Sequence, residues 1–75
     1  MQSTGLKDKN GQLIYEGDIV KFDETKLFVK PKQIIWDEYH YMLKDTLIIL
    51  CKMEIKQFGL EVIGNIHENP ELLKG

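Results

Sequence analysis

Cys51 is the one thiol in this chain, and His40 and His67 are its two imidazoles, so nucleophilic or metal chemistry would have to be assembled from these three residues and nearby carboxylates. A reactive cysteine needs a neighbouring cation to hold it as thiolate. Cys51 instead falls in the alternating series Leu47, Ile49, Cys51, Met53 and Ile55, with no lysine or histidine on that face, and reads as a buried structural thiol. His67 beside Glu68, and His40 near Asp37 and Glu38, place imidazole next to carboxylate. Neither group has a further ligand at a spacing diagnostic of a metal site. Gly5, Gly11 and Gly17 recur every six residues but lack the strand–loop–helix setting and the lysine–hydroxyl ending of a phosphate loop, so turn glycines account for them. The expectation is a protein that is not an enzyme, with no catalytic residue, metal or cofactor.

Two other patterns bear on binding. Lys21, Lys26, Lys30 and Lys32 are interleaved with Phe22, Phe28, Trp36, Tyr39 and Tyr41, the combination by which small β-domains bind single-stranded nucleic acid through charge and stacking. Asp23, Glu24, Asp37 and Glu38 lie in the same stretch and dilute the field. All ten basic residues are lysine, which removes the guanidinium fork used to read base edges. The second pattern is the rings themselves. Tyr15, Trp36, Tyr39 and Tyr41 are candidate anchors for a protein partner, unless a thin core claims them.

The elements that must position these residues are mostly strands. Seventy-five residues suffice for a single domain spanning 1–75, with stability on the order of 4 to 11 kcal/mol. Net charge is −2, and residues 35–75 form the more acidic part. No apolar run approaches the ~20 residues of a membrane-spanning helix. The lone cysteine and the lack of a basic, then apolar, start point to a cytoplasmic protein.

Asn10-Gly11 is a hairpin signal of the two-residue type I′ kind. Strands follow at Leu13–Tyr15, Ile19–Phe22, Leu27–Val29 and Gln33–Trp36, and through Tyr39–Leu43. The longest strand is expected over Thr46–Lys56, buried on both sides at its start. Gln57-Phe58-Gly59 turns the chain into a last strand over Leu60–Ile66, with Gly64 as a bulge. Asn69, Pro70 and Glu71 carry the marks of a short helical turn. The fold class is mainly β: a small SH3-like barrel, or a strongly twisted antiparallel sheet of five to six short strands, closed by that turn.

Two segments, TGLKDKNGQLIYEGDIVK at 4–21 and LEVIGNIHENPEL at 60–72, resemble the signature blocks of the YopX family of bacteriophage and prophage proteins. Each block matches at nearly every residue, and the two occur in the family's order. The resemblance implies phage origin, a bacterial host's cytoplasm and a β-rich domain. It brings no catalytic residue or cofactor. Family members commonly carry a longer preceding segment with an FRxWD-like stretch, so the chain is expected to correspond to the family's C-terminal portion. The blocks consist largely of turn residues such as Gly17, Gly64, Asn65, Asn69 and Pro70, which define a fold and do not locate a site. The expected function is that of an accessory protein that binds a host or phage protein, or a second copy of itself, with modulation or inhibition of a host system as one such role. A nucleic-acid-binding role for Lys21, Lys26, Lys30 and Lys32 is the alternative.

Overall fold

The alternation of apolar and polar residues in the two signature blocks is carried directly into strands. A computed structural model describes residues 2–23 and 30–73. The strand expected over Leu27–Val29 and the position of Lys26 lie outside the described residues. The elements run β1 (Ser3–Lys7), β2 (Leu13–Tyr15), β3 (Asp18–Phe22), β4 (Lys32–Asp37), β5 (His40–Leu43), α1 (Lys52–Phe58) and β6 (Leu60–Asn65), followed by a 3₁₀ turn at Pro70–Leu73. The first two strands form a separate antiparallel hairpin, and the others form a sheet in the order β5-β4-β3-β6. The fold is therefore the mainly β arrangement expected, in its open form. Among the described residues the strands do not close into a barrel.

One face of the larger sheet forms the core. Val20, Ile34, Leu43 and Leu60 are fully buried there, with Ile14 from the hairpin and with Leu50 and Ile55 from the chain between β5 and β6. Full burial of each such side chain is worth about 1.5–3 kcal/mol. Ile19 faces the other way, paired across from Gln33 and Gly64, and is nevertheless fully buried. The 3₁₀ turn folds back over this second face. A Cβ on Gly64 would stand 2.8 Å from Leu72 Cδ1 and 2.6 Å from Asn69 Oδ1. The register slips by one residue between Ile19 and Val20, which makes the expected bulge opposite them in β6. Glycine is needed here for the closeness of the turn. Gly64→Ala is expected to cost about 1–3 kcal/mol, the usual effect of overpacking, seen as a lower melting temperature.

Two local expectations are corrected. The hairpin joining β1 to β2 is not a two-residue turn. Asp8 and Gln12 close it, the Gly11 amide donates to the Asp8 carbonyl, and Gly11 alone within it has positive φ. That is the longer loop with glycine in its last position, in which Asn10 need not leave ordinary backbone space.

The strand expected over Thr46–Lys56 does not form. Ile49 makes one isolated bridge with Met42, and residues 52–58 are helical. Lys52, Met53, Glu54, Lys56 and Gln57 are straight-chain helix formers, and Gly59 ends the helix in the left-handed conformation, its amide donating to the Ile55 carbonyl. The exit of β3 supplies another partner, since the Asp23 amide donates to the Phe58 and Gly59 carbonyls. Phe22 and Phe58 meet edge to face with centroids 5.5 Å apart. Cys51 is the residue before the helix and is half-buried, not deep in an apolar face.

The hairpin is joined to the larger sheet by a buried carboxylate. Asp8 Oδ1 accepts from the amides of Asn10 and Gln12 at 2.9 and 2.8 Å, and Oδ2 accepts from the Val62 amide of β6 at 2.9 Å. The Lys9 amide also donates to the Leu60 carbonyl. A side chain four residues from the start of the first signature block thereby holds the start of the second.

Candidate functional site

The β4–β5 hairpin presents rings that the core does not enclose. Ile34 and Trp36 share one face of β4, facing Leu43 and Tyr41 of β5. The Ile34–Leu43 pair is fully buried. One pair further along, the core runs out: Trp36 is 48% exposed and stands edge-on to Tyr41 with centroids 4.8 Å apart. Tyr39 sits in the two-residue tip between the strands and is 83% exposed.

Of the four aromatic residues singled out from sequence, Trp36 and Tyr39 are thus surface residues. Tyr41 is half-buried, packs against the core cluster and donates its hydroxyl to Gln2 Oε1 at 3.3 Å. Tyr15 ends β2 and is 38% exposed, and the Glu16 amide beside it donates to the Gln2 carbonyl. Gln2 therefore links the Tyr15 strand end to the Trp36–Tyr41 pair.

The structure also exposes apolar residues that the strand expectation for 46–56 assigned to an interior. Leu47, Ile49 and Met53 are open to solvent, while their neighbours Ile48 and Leu50 turn toward the core. Ile49, paired with Met42, which pairs with Ile35, extends an apolar row across the outer face of the sheet.

Of the lysines considered for nucleic acid, the three described ones, Lys21, Lys30 and Lys32, are not assembled as one stripe. Lys21 Nζ lies 3.4 Å from Glu61 Oε1. Lys30 and Lys32 line a separate concavity with Lys44 and Asp45. Around Glu61 the structure builds a charge cluster instead. Lys9 pairs with Asp23 and lies 3.9 Å from Glu61, whose Oε2 accepts from Asn10 Nδ2 at 2.9 Å. The Asn10 hydrogen bond and then the lysines hold the Glu61 carboxyl below its ordinary 4.5, and the Lys9 hydrogen bond and charge hold Asp23 below its ordinary 3.8. Asp18 is pushed the other way: burial raises its carboxyl above 3.8 despite the Tyr15 amide it accepts at 2.8 Å.

The signs give a pH prediction. Asp23 and Glu61 contribute stability that is present above their unfolded values and lost as pH falls through their lower folded values. Asp18 contributes in the opposite sense, because the folded state holds its proton more tightly. Asp18→Asn keeps an acceptor for the Tyr15 amide and removes this opposing term. The variant's stability is therefore expected to fall more steeply than the wild type's as urea melts are moved from pH 6 toward ~3.8.

His40 stands across from Asp37 at the hairpin end, and His67 lies in the turn after β6 with its amide on Asn65 Oδ1 at 2.9 Å. Among the described residues no three histidine, cysteine or acidic side chains converge as a ligand set, and no helix is long and apolar enough to cross a membrane.

One feature was not foreseen. A cavity of about 340 Å³ opens between the end of β1 and α1, walled by Lys7, Lys9, Lys52 and Lys56 and floored by Ile55 and Gly59. These lysines lie far apart in the chain, and the helix at residues 52–58 shortens the spacing of Lys52 and Lys56 from the ~13 Å of a strand to ~6 Å.

A mainly β domain of two open antiparallel sheets, with a short helix in the connection from β5 to β6, is thus the class of structure that the described residues form. The sequence profile of the family described as YopX protein matches residues 1–74, and the chain belongs to that family. Among solved structures it is similar to the crystal structure of protein EF1440 from Enterococcus faecalis, at 41% identity and a TM-score of 0.80. The similarity covers 95% of this chain and 52% of that one, so the chain spans about half the length of that relative. Among curated proteins, none matches.

Proposed function

We propose that this chain is a phage-encoded, non-enzymatic accessory protein that acts in the bacterial cytoplasm by binding another protein, a host system it modulates or inhibits being the favoured target. The observation that carries the reading is the β4–β5 hairpin, where Trp36 and Tyr39 remain 48% and 83% exposed while Ile34, two residues before Trp36, is fully buried. Large rings dominate the energetics of protein interfaces, and keeping them in water has a cost that a partner removes.

The test compares capture by the tagged wild type and by W36A/Y39A from phage-infected lysate, with nuclease. The expected result is a host or phage protein that survives nuclease and is released by the double substitution, while circular dichroism shows the variant folded. Recovery of nucleic acid, with protein lost on nuclease treatment, would remove this reading in favour of the lysine-based alternative. So would a partner held equally by the variant.

A further inference from the structure

We propose that the lysine-walled cavity between β1 and α1 docks an acidic segment of a partner protein, its carboxylates on Lys7, Lys52 and Lys56 and an aliphatic side chain on Ile55. The inference rests on the protein-binding reading above and adds a second contact, of different chemistry, to the aromatic hairpin.

Positive charge is concentrated here in a chain whose net charge is −2. Lys52 and Lys56 are one helical turn apart, on the same face of α1 as Ile55, and Lys7 faces them from the end of β1. Like charges at that helical spacing repel. Among the described residues no carboxylate comes within ion-pairing distance of Lys7, Lys52 or Lys56. Lys9 is already held by Asp23 and Glu61 and is not counted.

Among the described residues Asp8 is the one acid lining the cavity; its oxygens accept backbone amides and it forms no ion pair with the rim, so its charge offsets the three lysines only in part. An incoming anion would relieve the repulsion that remains among the three ammonium groups.

The lining also selects the kind of anion. Among the described residues no aromatic ring borders the cavity, so they offer no platform on which a nucleobase could stack. The donors are lysines, compact point charges that take carboxylates without a planar fork. The floor is Ile55 and Gly59, an apolar patch at the base of a charged rim. At about 340 Å³ the cavity is near the lower end of ligand-pocket sizes. An acidic peptide with an interspersed leucine or isoleucine satisfies rim and floor together.

The experiment is fluorescence anisotropy of a dye-labelled peptide of alternating glutamate and leucine, beside an oligothymidylate of equal charge, at low ionic strength. The peptide is expected to bind, and to weaken by about tenfold as salt is raised to physiological strength, as screening requires. K52E/K56E on the helix wall, and K7E alone on the strand wall, should each weaken binding by about tenfold or more, while K30E/K32E leaves it unchanged. Lys52→Glu puts an acid in the first turn, which favours the helix and offsets the acid that Lys56→Glu puts in the last turn, so circular dichroism should show the double variant folded.

Absence of peptide binding, binding indifferent to the cavity substitutions, or tighter binding of the oligothymidylate through the same lysines would each overturn the proposal. The two readings fail separately. If the peptide does not bind but W36A/Y39A still releases the host protein, the cavity is wrong and the hairpin stands. If K52E/K56E abolishes peptide binding but W36A/Y39A retains the host protein, the hairpin is wrong and the cavity stands.

Discussion

Asp8→Ala is expected to lower the folding free energy by about 2–4 kcal/mol, read as a shift in the urea midpoint with little change in slope. Three backbone amides, those of Asn10, Gln12 and Val62, lose their acceptor together. Leaving a buried donor unsatisfied costs ~1–3 kcal/mol, and hydrogen bonds to a charged acceptor are stronger than neutral ones. Asn10 and Gln12 are exposed, so water can replace the carboxylate for part of the loss. The Val62 amide lies within β6, where replacement by water is harder.

Against a total stability on the order of 4 to 11 kcal/mol, the change is enough to leave a substantial unfolded fraction. Asp8→Asn should fall between, because its amide keeps one oxygen acceptor and turns an N–H toward a third donor. A loss below ~1 kcal/mol for the alanine variant would show that the β1–β2 hairpin is held to β6 by other contacts.

The second large effect separates core from surface on one strand. Ile34 is fully buried and Trp36 is half-exposed on the same face of β4, only one strand pair apart. Ile34→Ala is expected to cost about 2–5 kcal/mol, the range for deleting a buried aliphatic side chain whose neighbours cannot fully collapse into the space. Trp36→Ala should cost about 1 kcal/mol, chiefly its edge contact with Tyr41, although tryptophan is the larger residue. Melting curves of the two variants measure the contrast. If Trp36→Ala proves as damaging as Ile34→Ala, the ring belongs to the core and its assignment as an anchor fails.

The charge cluster around Glu61 enters this picture as an exposed network. Its carboxylates are held below their ordinary values by hydrogen bonds and lysines, and such pairs are screened by salt. The acid-side behaviour of Asp18→Asn reports on it without disturbing either the core or the cavity.

How much of this was legible differs from element to element. The turns after β6 were readable because their residues have local conformational reasons, whereas the type of the Asn10-Gly11 turn was not. Pro70 after Asn69 starts the last turn, and Gly64 marks the bulge. Strands β2, β3, β4 and β6 fell where alternation placed them, to within two residues at either end.

The segment 46–56 misled because five apolar residues at alternate positions also contain a helical pattern. Cys51, Ile55 and Phe58 are spaced four and three apart, and Gly59 is a helix stop. A seven-residue helix is too short for its period to outweigh a period of two. A strand would have kept Lys52 and Lys56 on one face but ~13 Å apart, so only the helix and its place beside β1 make the charged cavity.

The sequence by itself determined the mainly β class, the chain positions of most strands, the Gly64 bulge and Pro70 turn, and membership of the YopX family, because propensity, alternation and glycine or proline constraints act over a few residues and the signature blocks are contiguous. Tertiary structure alone decided that the sheets stay open, that Asp8 bridges the two signature blocks, and that Trp36 lies beyond the end of the core while Ile34 lies within it. It also decided that lysines more than forty positions apart share one concavity. Those outcomes depend on which faces meet across the chain, and burial and charge are properties of that meeting rather than of any local run of residues.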